Sequence, residues 1–148
     1  MPDVESIYHA IATLKARSLL AVDEKRWPDF AACFTPDARI DYSRAVVPGS
    51  DGPLEVPSIE AYVALASGFV GDAKTMHVGS LPIIEIVEPD RAKATWKMED
   101  VIVRAAGSAL PSRHGYFVYE DEYRLTDAGW RISSLTFVPW FEVPLDHQ

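Results

Sequence analysis

The apolar positions of the chain change their spacing near residue 71. Before that point they recur every three or four residues, over 4–22 and again after Ser58, and this spacing is typical of helices with one buried face. Beyond it, four segments are bounded by turn residues and have the composition of strands, namely 74–87, 92–104, 114–125 and 130–138. Helices followed by a long antiparallel meander predict an α+β fold.

Shorter elements are predicted between the first helix and the strands. Trp27 opens a second short helix, because Pro28 suits the first helical position. A turn at 35–38 leads into a strand at 39–42. An irregular loop at 43–57 follows, and then a third helix at 58–68. The loop contains three prolines and two glycines, and Ser58 is placed to cap the helix.

One face of the sheet is expected to be buried and the other exposed to solvent. Trp96 and Met98 alternate with Lys97 and Glu99, which is the pattern of a half-buried strand. A strongly curved sheet wrapped around the N-terminal helices would form a cone-shaped α+β barrel with an apolar cavity, and such cavities hold small ligands. The side chains expected to line this pocket are Ser18, Trp96, Met98, Ile102, Phe117 and Tyr119.

Length and charge narrow the possible functions. The 148 residues fit a single domain, 1–148, with an aromatic and proline-rich tail at 139–148 that is expected to cover the pocket mouth or a neighbouring subunit. The net charge is −8 and no run of basic residues exceeds Lys25-Arg26. Nucleic acid and anionic membranes are therefore unexpected partners, and a small apolar substrate is expected. The acidic N-terminus lacks a secretory signal, so we expect a cytoplasmic protein.

No cofactor and no metal are expected. Cys33 is the single cysteine, which excludes an internal disulfide and a multi-cysteine metal site. The four histidines show no metal-ligand spacing, and the chain has no glycine-rich phosphate loop. The chemistry is therefore expected to come from the side chains of the protein itself.

His77 and Asp100 are the first candidates for that chemistry. Side chains alternate between faces along paired strands, so any hairpin loop of even length between 74–87 and 92–104 places both residues on the buried face. With a four-residue loop they are direct cross-strand partners, and with a two-residue loop they lie on a diagonal. A β-bulge between them would break this relation.

Asp23 and Tyr42 are further candidates. Asp23 falls at the C-terminal end of the first helix. A carboxylate that holds a strand-borne imidazole is what proton abstraction from carbon requires near neutral pH. The other histidines are weaker candidates for catalysis. His9 and His147 are expected at the surface, and His114 is expected on the sheet face opposite Phe117.

The order of these residues resembles the SnoaL-like families of the nuclear-transport-factor-like superfamily, which form a cone-shaped α+β barrel. The resemblance spans roughly 7–137. It is carried, in chain order, by Ala21-Val22-Asp23, Trp27, Phe34, Asp37-Ala38, Thr75-Met76-His77, 119–125 and Gly129-Trp130-Arg131-Ile132. The last two segments are typical of the fold and say little about chemistry.

Within that superfamily, an Asp ending the first helix and a His after the third helix are similar to the dyad of a cofactor-independent elimination group. That group includes scytalone dehydratase, hexachlorocyclohexane dehydrochlorinase and bile acid 7α-dehydratase. Resemblance to the last implies four pocket residues, Asp23, Tyr42, His77 and Asp100. Ser18 stands where several members carry a tyrosine, and Pro139 stands near an expected arginine, which favours a smaller neutral substrate. The resemblance also favours a homotrimer over a dimer.

These residues lead to the hypothesis of a dehydratase, a hydro-lyase that acts on a small apolar hydroxylated carbonyl, steroid-like or polyketide-like substrate. His77 would be the general base, and Asp23 would fix its tautomer. Tyr42 would donate to the developing enolate, and His77 or Asp100 would protonate the departing hydroxyl. A second hypothesis keeps this base but changes the reaction to isomerisation or ring closure. A third is a non-catalytic binding module or the small subunit of a ring-hydroxylating dioxygenase.

Overall fold

The computed structural model describes residues 2–46 and 50–145, and it confirms the α+β fold. Three helices and five strands make up the regular structure of these residues, namely α1 (Val4–Asp23), α2 (Trp27–Ala32), β1 (Phe34–Asp41), α3 (Ile59–Val70), β2 (Lys74–Glu88), β3 (Arg91–Val103), β4 (Arg113–Thr126) and β5 (Gly129–Pro144). The strands form one sheet in the order β1-β5-β4-β3-β2. β1 and β5 are parallel, and the other neighbours are antiparallel.

Helix α1 has a capped start and one buried face. The Asp3 carboxylate accepts the backbone N–H of Ser6 at 2.7 Å and so caps the N-terminus. The buried stripe includes Ile7 and Leu14, and the helix packs against β2, as the spacing of three and four predicted. No helix within the described ranges is both long enough and apolar enough to cross a bilayer.

The connection after α1 brings the end of that helix to β2. Lys25 adopts a left-handed backbone conformation, with φ at 56°, and its Nζ donates to the carbonyl oxygen of Ala73 at 2.8 Å. Ala73 directly precedes β2. The C-terminus of α1, where Asp23 lies, is therefore held beside the start of the strand that carries His77.

The turn predicted at 35–38 is wrong, because these residues belong to β1. This strand lies at the edge of the sheet, and its register against β5 shifts between Phe34 and Arg39. An edge position and an irregular register both tolerate Pro36, which cannot donate a ladder hydrogen bond. Proline here marks a bulged edge strand instead of a turn.

The last strand is longer than predicted. Its predicted end at residue 138 is wrong, because β5 continues to Pro144 and stays paired with β4 along that length. Most of the segment predicted as a tail is therefore strand, although Trp140 and Phe141 remain 56% and 60% exposed. The end of that segment, 146–148 with His147, lies outside the described residues.

A buried ion pair joins α1 to β4. Lys15 Nζ lies 2.7 Å from Asp121 Oδ2, and the two side chains are 2% and 0% exposed. The same oxygen accepts the Tyr123 hydroxyl at 2.8 Å, and that hydroxyl accepts the Trp96 indole N–H at 2.9 Å. The Lys15 ammonium also lies 4.4 Å from the centre of the Tyr119 ring. Sequence reasoning missed this network because lysine and aspartate are rarely buried.

We expect Lys15→Met to lower the free energy of unfolding by about 3–5 kcal/mol, because it leaves Asp121 buried without its cation. The double variant K15M/D121N should be more stable than K15M alone, since an amide needs no counter-ion and can still accept from Tyr123. Urea denaturation measures both effects. The single variant D121N completes the comparison. If the double variant loses as much stability as K15M and D121N lose together, the two side chains are not coupled.

Candidate active site

Asp23 at the end of α1 and His77 in β2 are in direct contact. His77 Nδ1 lies 2.7 Å from Asp23 Oδ1. The carboxylate also accepts the backbone N–H of His77 at 2.9 Å and the Thr75 hydroxyl at 2.8 Å. Both oxygens of Asp23 therefore bind β2, and the carboxylate is fixed in position relative to the imidazole.

These hydrogen bonds decide which ring nitrogen carries the proton. Burial acts to raise the pKa of Asp23, but the hydrogen bonds from His77 and Thr75 outweigh it and hold that pKa below its ordinary value. An ionised carboxylate can only accept, so we assign the proton to Nδ1 of His77. Nε2 of the neutral ring is then an acceptor, as an oriented general base requires.

Asp100 lies on the other side of the imidazole. His77 Nε2 is 3.7 Å from Asp100 Oδ2, which is too long for a hydrogen bond. The side chains of His77 and Asp100 are 13% and 4% exposed. The ring therefore stands between two carboxylates, bonded to Asp23 and facing a buried Asp100.

Two irregularities in β2 determine this facing. The hairpin between β2 and β3 has a two-residue loop at 89–90, which alone predicts a diagonal between His77 and Asp100. They are instead direct cross-strand partners, because register shifts at 80–83 and 86–88 each place one extra residue in β2. One such bulge would have turned His77 to the opposite face, and the second returns it to the face of Asp100.

Arg113 contacts Asp100, and sequence reasoning missed it. Its Nη2 lies 3.2 Å from Asp100 Oδ2, and its Nη1 lies 2.9 Å from Glu142 Oε2. The guanidinium is also 5.5 Å from the centre of the Phe69 ring. Arg113 is the cross-strand partner of Ile102, so it shares the face of Asp100. The register of β3 against β4 could not be predicted from the sequence, because the loop between these strands is irregular.

Gly115 makes room for the ion pair between Asp100 and Arg113. It is the direct partner of Asp100 across β3 and β4. A Cβ added to Gly115 would overlap Asp100 Oδ1 and come within 2.7 Å of Arg113 Nη1. The two charged side chains thus fill the volume that any larger residue would need.

Three tyrosine hydroxyls meet in the core. The Tyr42 hydroxyl lies 3.0 Å from that of Tyr62 and also hydrogen-bonds to that of Tyr119. Burial, the largest cause, raises the pKa of Tyr62 to about 12 and the pKa of Tyr42 and Tyr119 well above the ordinary value. All three remain protonated near neutral pH. Tyr42 was a sequence candidate, whereas Tyr62 was missed because its place in α3 is typical of core packing.

The side chains predicted to line a pocket are all buried. Four belong to the main hydrophobic core, namely Trp96, Met98, Phe117 and Tyr119, and Ile102 has no exposed surface. The Ser18 hydroxyl donates to the carbonyl oxygen of Lys15 at 2.7 Å. Two surface depressions, of about 260 and 300 Å³, have linings that exclude His77.

His114, His9 and the single cysteine lie apart from the dyad. His114 faces the outer side of the sheet, as its alternation predicted, with Nε2 2.9 Å from Glu99 Oε2 and its ring stacked on Tyr116. His9 is exposed on α1. Cys33 is buried, and burial raises the pKa of its thiol. Over 2–46 and 50–145, no three His, Cys, Asp or Glu side chains are grouped so that they could hold a metal ion.

Gly115→Ala should lower the free energy of unfolding by about 1–3 kcal/mol, because the added methyl group forces Asp100 and Arg113 to move. Gly68→Ala in α3 is the matched control, since a Cβ there meets nothing within 4 Å. That variant should be neutral or stabilising by up to about 1 kcal/mol. Similar losses in both variants, measured by urea denaturation, would refute the close packing at Gly115.

The Asp23 hydrogen bonds predict an acid-dependent contribution to stability. The folded-state pKa of Asp23 lies below its ordinary value of 3.8, so the stabilisation is fully present above that value and is lost as the pH falls through the folded-state pKa. The difference in unfolding free energy between the wild type and Asp23→Asn should therefore shrink as the pH falls through the folded-state pKa of Asp23. Denaturation across this pH range measures it, and a difference independent of pH would contradict the assignment.

Comparison with known proteins gives a family and several solved structures of the same fold. The SnoaL-like domain family matches residues 6–136, whereas no curated protein matches the chain. A protein of Kribbella flavida has 25% identity and a TM-score of 0.79, with 95% of each chain covered. A putative scytalone dehydratase from Novosphingobium aromaticivorans has 17% identity and a TM-score of 0.75, covering 95% of this chain and 89% of that chain.

A type 3 hexachlorocyclohexane dehydrochlorinase from Novosphingobium barchaimii is similar to the same extent. Its identity is 23% and its TM-score 0.73, with 93% of this chain and 89% of that chain covered. At these identities the structures establish a shared fold, and the family match covers most of the sequence. The chain therefore belongs to the SnoaL-like domain family.

Proposed function

We propose that the protein is a cofactor-independent dehydratase that removes water from a small apolar hydroxylated carbonyl compound. The observation that carries this proposal is the contact of 2.7 Å between His77 Nδ1 and Asp23 Oδ1. It fixes the imidazole so that Nε2 is the unprotonated nitrogen. A positioned base of this kind suits removal of a proton from carbon near neutral pH.

The proposed reaction is a β-elimination. Nε2 of His77 takes the proton from the carbon next to the carbonyl, and the electron pair of that C–H bond forms an enolate. The enolate then forms the new carbon–carbon double bond as the C–O bond to the β-hydroxyl breaks. The imidazolium returns its proton to the departing hydroxide, so the products are the unsaturated carbonyl compound and one water molecule. Asp23 stabilises the imidazolium in between.

The surroundings of Asp100 favour His77 as the group that returns the proton. Asp100 is already bound to the Arg113 guanidinium at 3.2 Å, and a carboxylate held by a cation is a poor proton donor. Its distance of 3.7 Å from Nε2 suits a different role, which is electrostatic support of the imidazolium. Between the two proton donors considered from the sequence, the geometry therefore supports His77.

The tyrosine cluster supplies hydroxyl donors for the enolate. Tyr42, Tyr62 and Tyr119 keep their protons near neutral pH, because burial raises the pKa of each. Neutral hydroxyls that are already held by hydrogen bonds to one another can stabilise a developing oxyanion with little rearrangement. We assign this part to Tyr42, whose hydroxyl contacts both of the others.

The reaction is tested with neutral β-hydroxy ketones such as 4-hydroxy-4-phenylbutan-2-one, together with scytalone and hexachlorocyclohexane, which the names of structurally similar proteins suggest. Mass spectrometry should detect a product lighter by one water molecule from the hydroxy ketones and scytalone, and lighter by HCl from hexachlorocyclohexane. In D₂O, recovered hydroxy ketone should gain deuterium at the carbon next to the carbonyl. A product of unchanged mass would instead indicate isomerisation or ring closure. Absence of elimination and of exchange with every probe would refute the proposal.

His77→Ala and Asp23→Asn should each lower turnover by roughly 10²–10⁴-fold, because one loses the base and the other its orientation. His114→Ala is the matched control, since this histidine lies on the outer face of the sheet and pairs with Glu99. It should retain the wild-type rate. Turnover within a few-fold of the wild type in a folded His77→Ala variant would remove His77 from the mechanism.

The exposed aromatic residues of β5 favour a second candidate function, which is assembly. Trp140 and Phe141 are 56% and 60% exposed, and large exposed apolar surfaces are typical of interfaces. As a non-catalytic subunit, the protein would copurify with a larger partner and show no elimination. If it is instead an enzyme, the same surface would join copies of the chain, for which we propose a trimer. Light scattering of the purified protein distinguishes these assemblies.

A further inference from the structure

The charges around His77 form an alternating chain that crosses the sheet. Asp23 contacts Nδ1 of the ring, and Asp100 faces Nε2. Arg113 then contacts Asp100 at 3.2 Å and Glu142 at 2.9 Å. The proposed base thus lies between two carboxylates, in a series in which acidic and basic side chains alternate.

Two carboxylates beside one imidazole create a difficulty for a general base. Each carboxylate within about 4–6 Å stabilises the protonated ring, and Asp100 is buried, where such interactions are only weakly screened. If Asp23 and Asp100 acted alone, they would favour the protonated ring. A ring that already holds its proton near neutral pH cannot accept one from a substrate. A positive charge beside Asp100 offsets this effect.

We infer that Arg113 is a positioning residue that keeps the His77 imidazole available as a base by holding Asp100 in an ion pair. The guanidinium shares the sheet face of Asp100 and binds the same oxygen, Oδ2, that faces Nε2. It competes with the imidazolium for this carboxylate. The consequence for catalysis rests on the proposed function, whereas the effect on ring protonation does not.

Three features hold Arg113 in place. Glu142 on β5 binds its other terminal nitrogen, and the Phe69 ring of α3 lies 5.5 Å from the guanidinium. Gly115 leaves the volume in which the ion pair sits. The guanidinium is thus fixed from both neighbouring strands and from α3, as a group that positions a carboxylate must be.

Besides His77 and Arg113, the charged and titratable groups of this region come from α1, β3, β4, β5 and the segments that flank α3 and β3. They are Asp23, Asp100, Tyr119, Glu142, Asp72 and Arg104. Arg104 lies 4.8 Å from the Phe69 ring and is electrostatically coupled to Arg113 and Asp72. These groups remain unchanged when Arg113 is replaced, so a comparison of variants isolates the contribution of Arg113.

The test is an NMR titration of the His77 ring nitrogens, which needs no substrate. In Arg113→Met the pH of half-protonation should rise by about one unit or more, because Asp100 is released to stabilise the imidazolium. Arg113→Lys keeps the charge and should titrate close to the wild type. Arg39→Met removes an exposed positive charge elsewhere and should leave the midpoint unchanged.

Asp100→Asn provides an independent variant of nearly the same shape, and it applies even where Arg113→Met does not fold. It leaves Arg113 beside a ring that has lost one carboxylate, so the midpoint should fall by about one unit. The double variant D100N/R113M should return close to the wild-type value. An unchanged midpoint in either Arg113→Met or Asp100→Asn would overturn the inference.

Failure of this inference can be told apart from failure of the proposed function. If the His77 midpoint moves as described but His77→Ala retains turnover, the ion pair controls the ring and the ring is not the base. If His77→Ala abolishes turnover but the midpoint stays fixed in Arg113→Met, the base is correct and Arg113 has no part in setting its charge. Where both hold, the pH profile of turnover should shift in Arg113→Met in the same direction as the titration.

Discussion

The interaction on which the site depends is the hydrogen bond between Asp23 and His77. It joins the C-terminus of α1 to β2 through two residues that are 54 positions apart in the sequence, on elements that pack directly against each other. The hydrogen bond from Lys25 to Ala73 holds the end of α1 beside the start of β2, and the Thr75 hydroxyl donates to the Asp23 carboxylate. Because Asp23 is fixed by three donors, the imidazole has one orientation and one tautomer.

Two buried carboxylates of the sheet are each paired with a basic side chain. Lys15 with Asp121 and Arg113 with Asp100 both place a buried carboxylate of the sheet beside a basic side chain. A carboxylate buried alone would carry a large desolvation cost, which a nearby cation and hydrogen bonds offset. Only the second pair reaches the imidazole, so the two pairs solve the same physical problem but differ in what they contribute to the site.

The facing of His77 and Asp100 was predicted correctly, although the hairpin differs from both versions considered. The sequence shows alternation, and alternation fixes the face of a side chain only when the register is continuous. Two bulges in β2 shift the register by one residue each, and their effects on facing cancel. Pro82 is a sequence signal for the first bulge, because proline cannot donate a ladder hydrogen bond, whereas the residues at 86–88 carry no comparable signal.

The sequence by itself determined the α+β class, the first helix, the four-stranded meander and the candidates Asp23, His77, Asp100 and Tyr42, because these follow from periodicity, residue chemistry and family resemblance. Only the tertiary structure decided that Arg113 and Glu142 join Asp100, that Tyr62 joins Tyr42, and that Lys15 lies in the core. The physical reason is that local pattern reports how each side chain is directed relative to its own element. Which charges meet across elements depends on strand register and helix docking, and both are set by the packing of the whole chain.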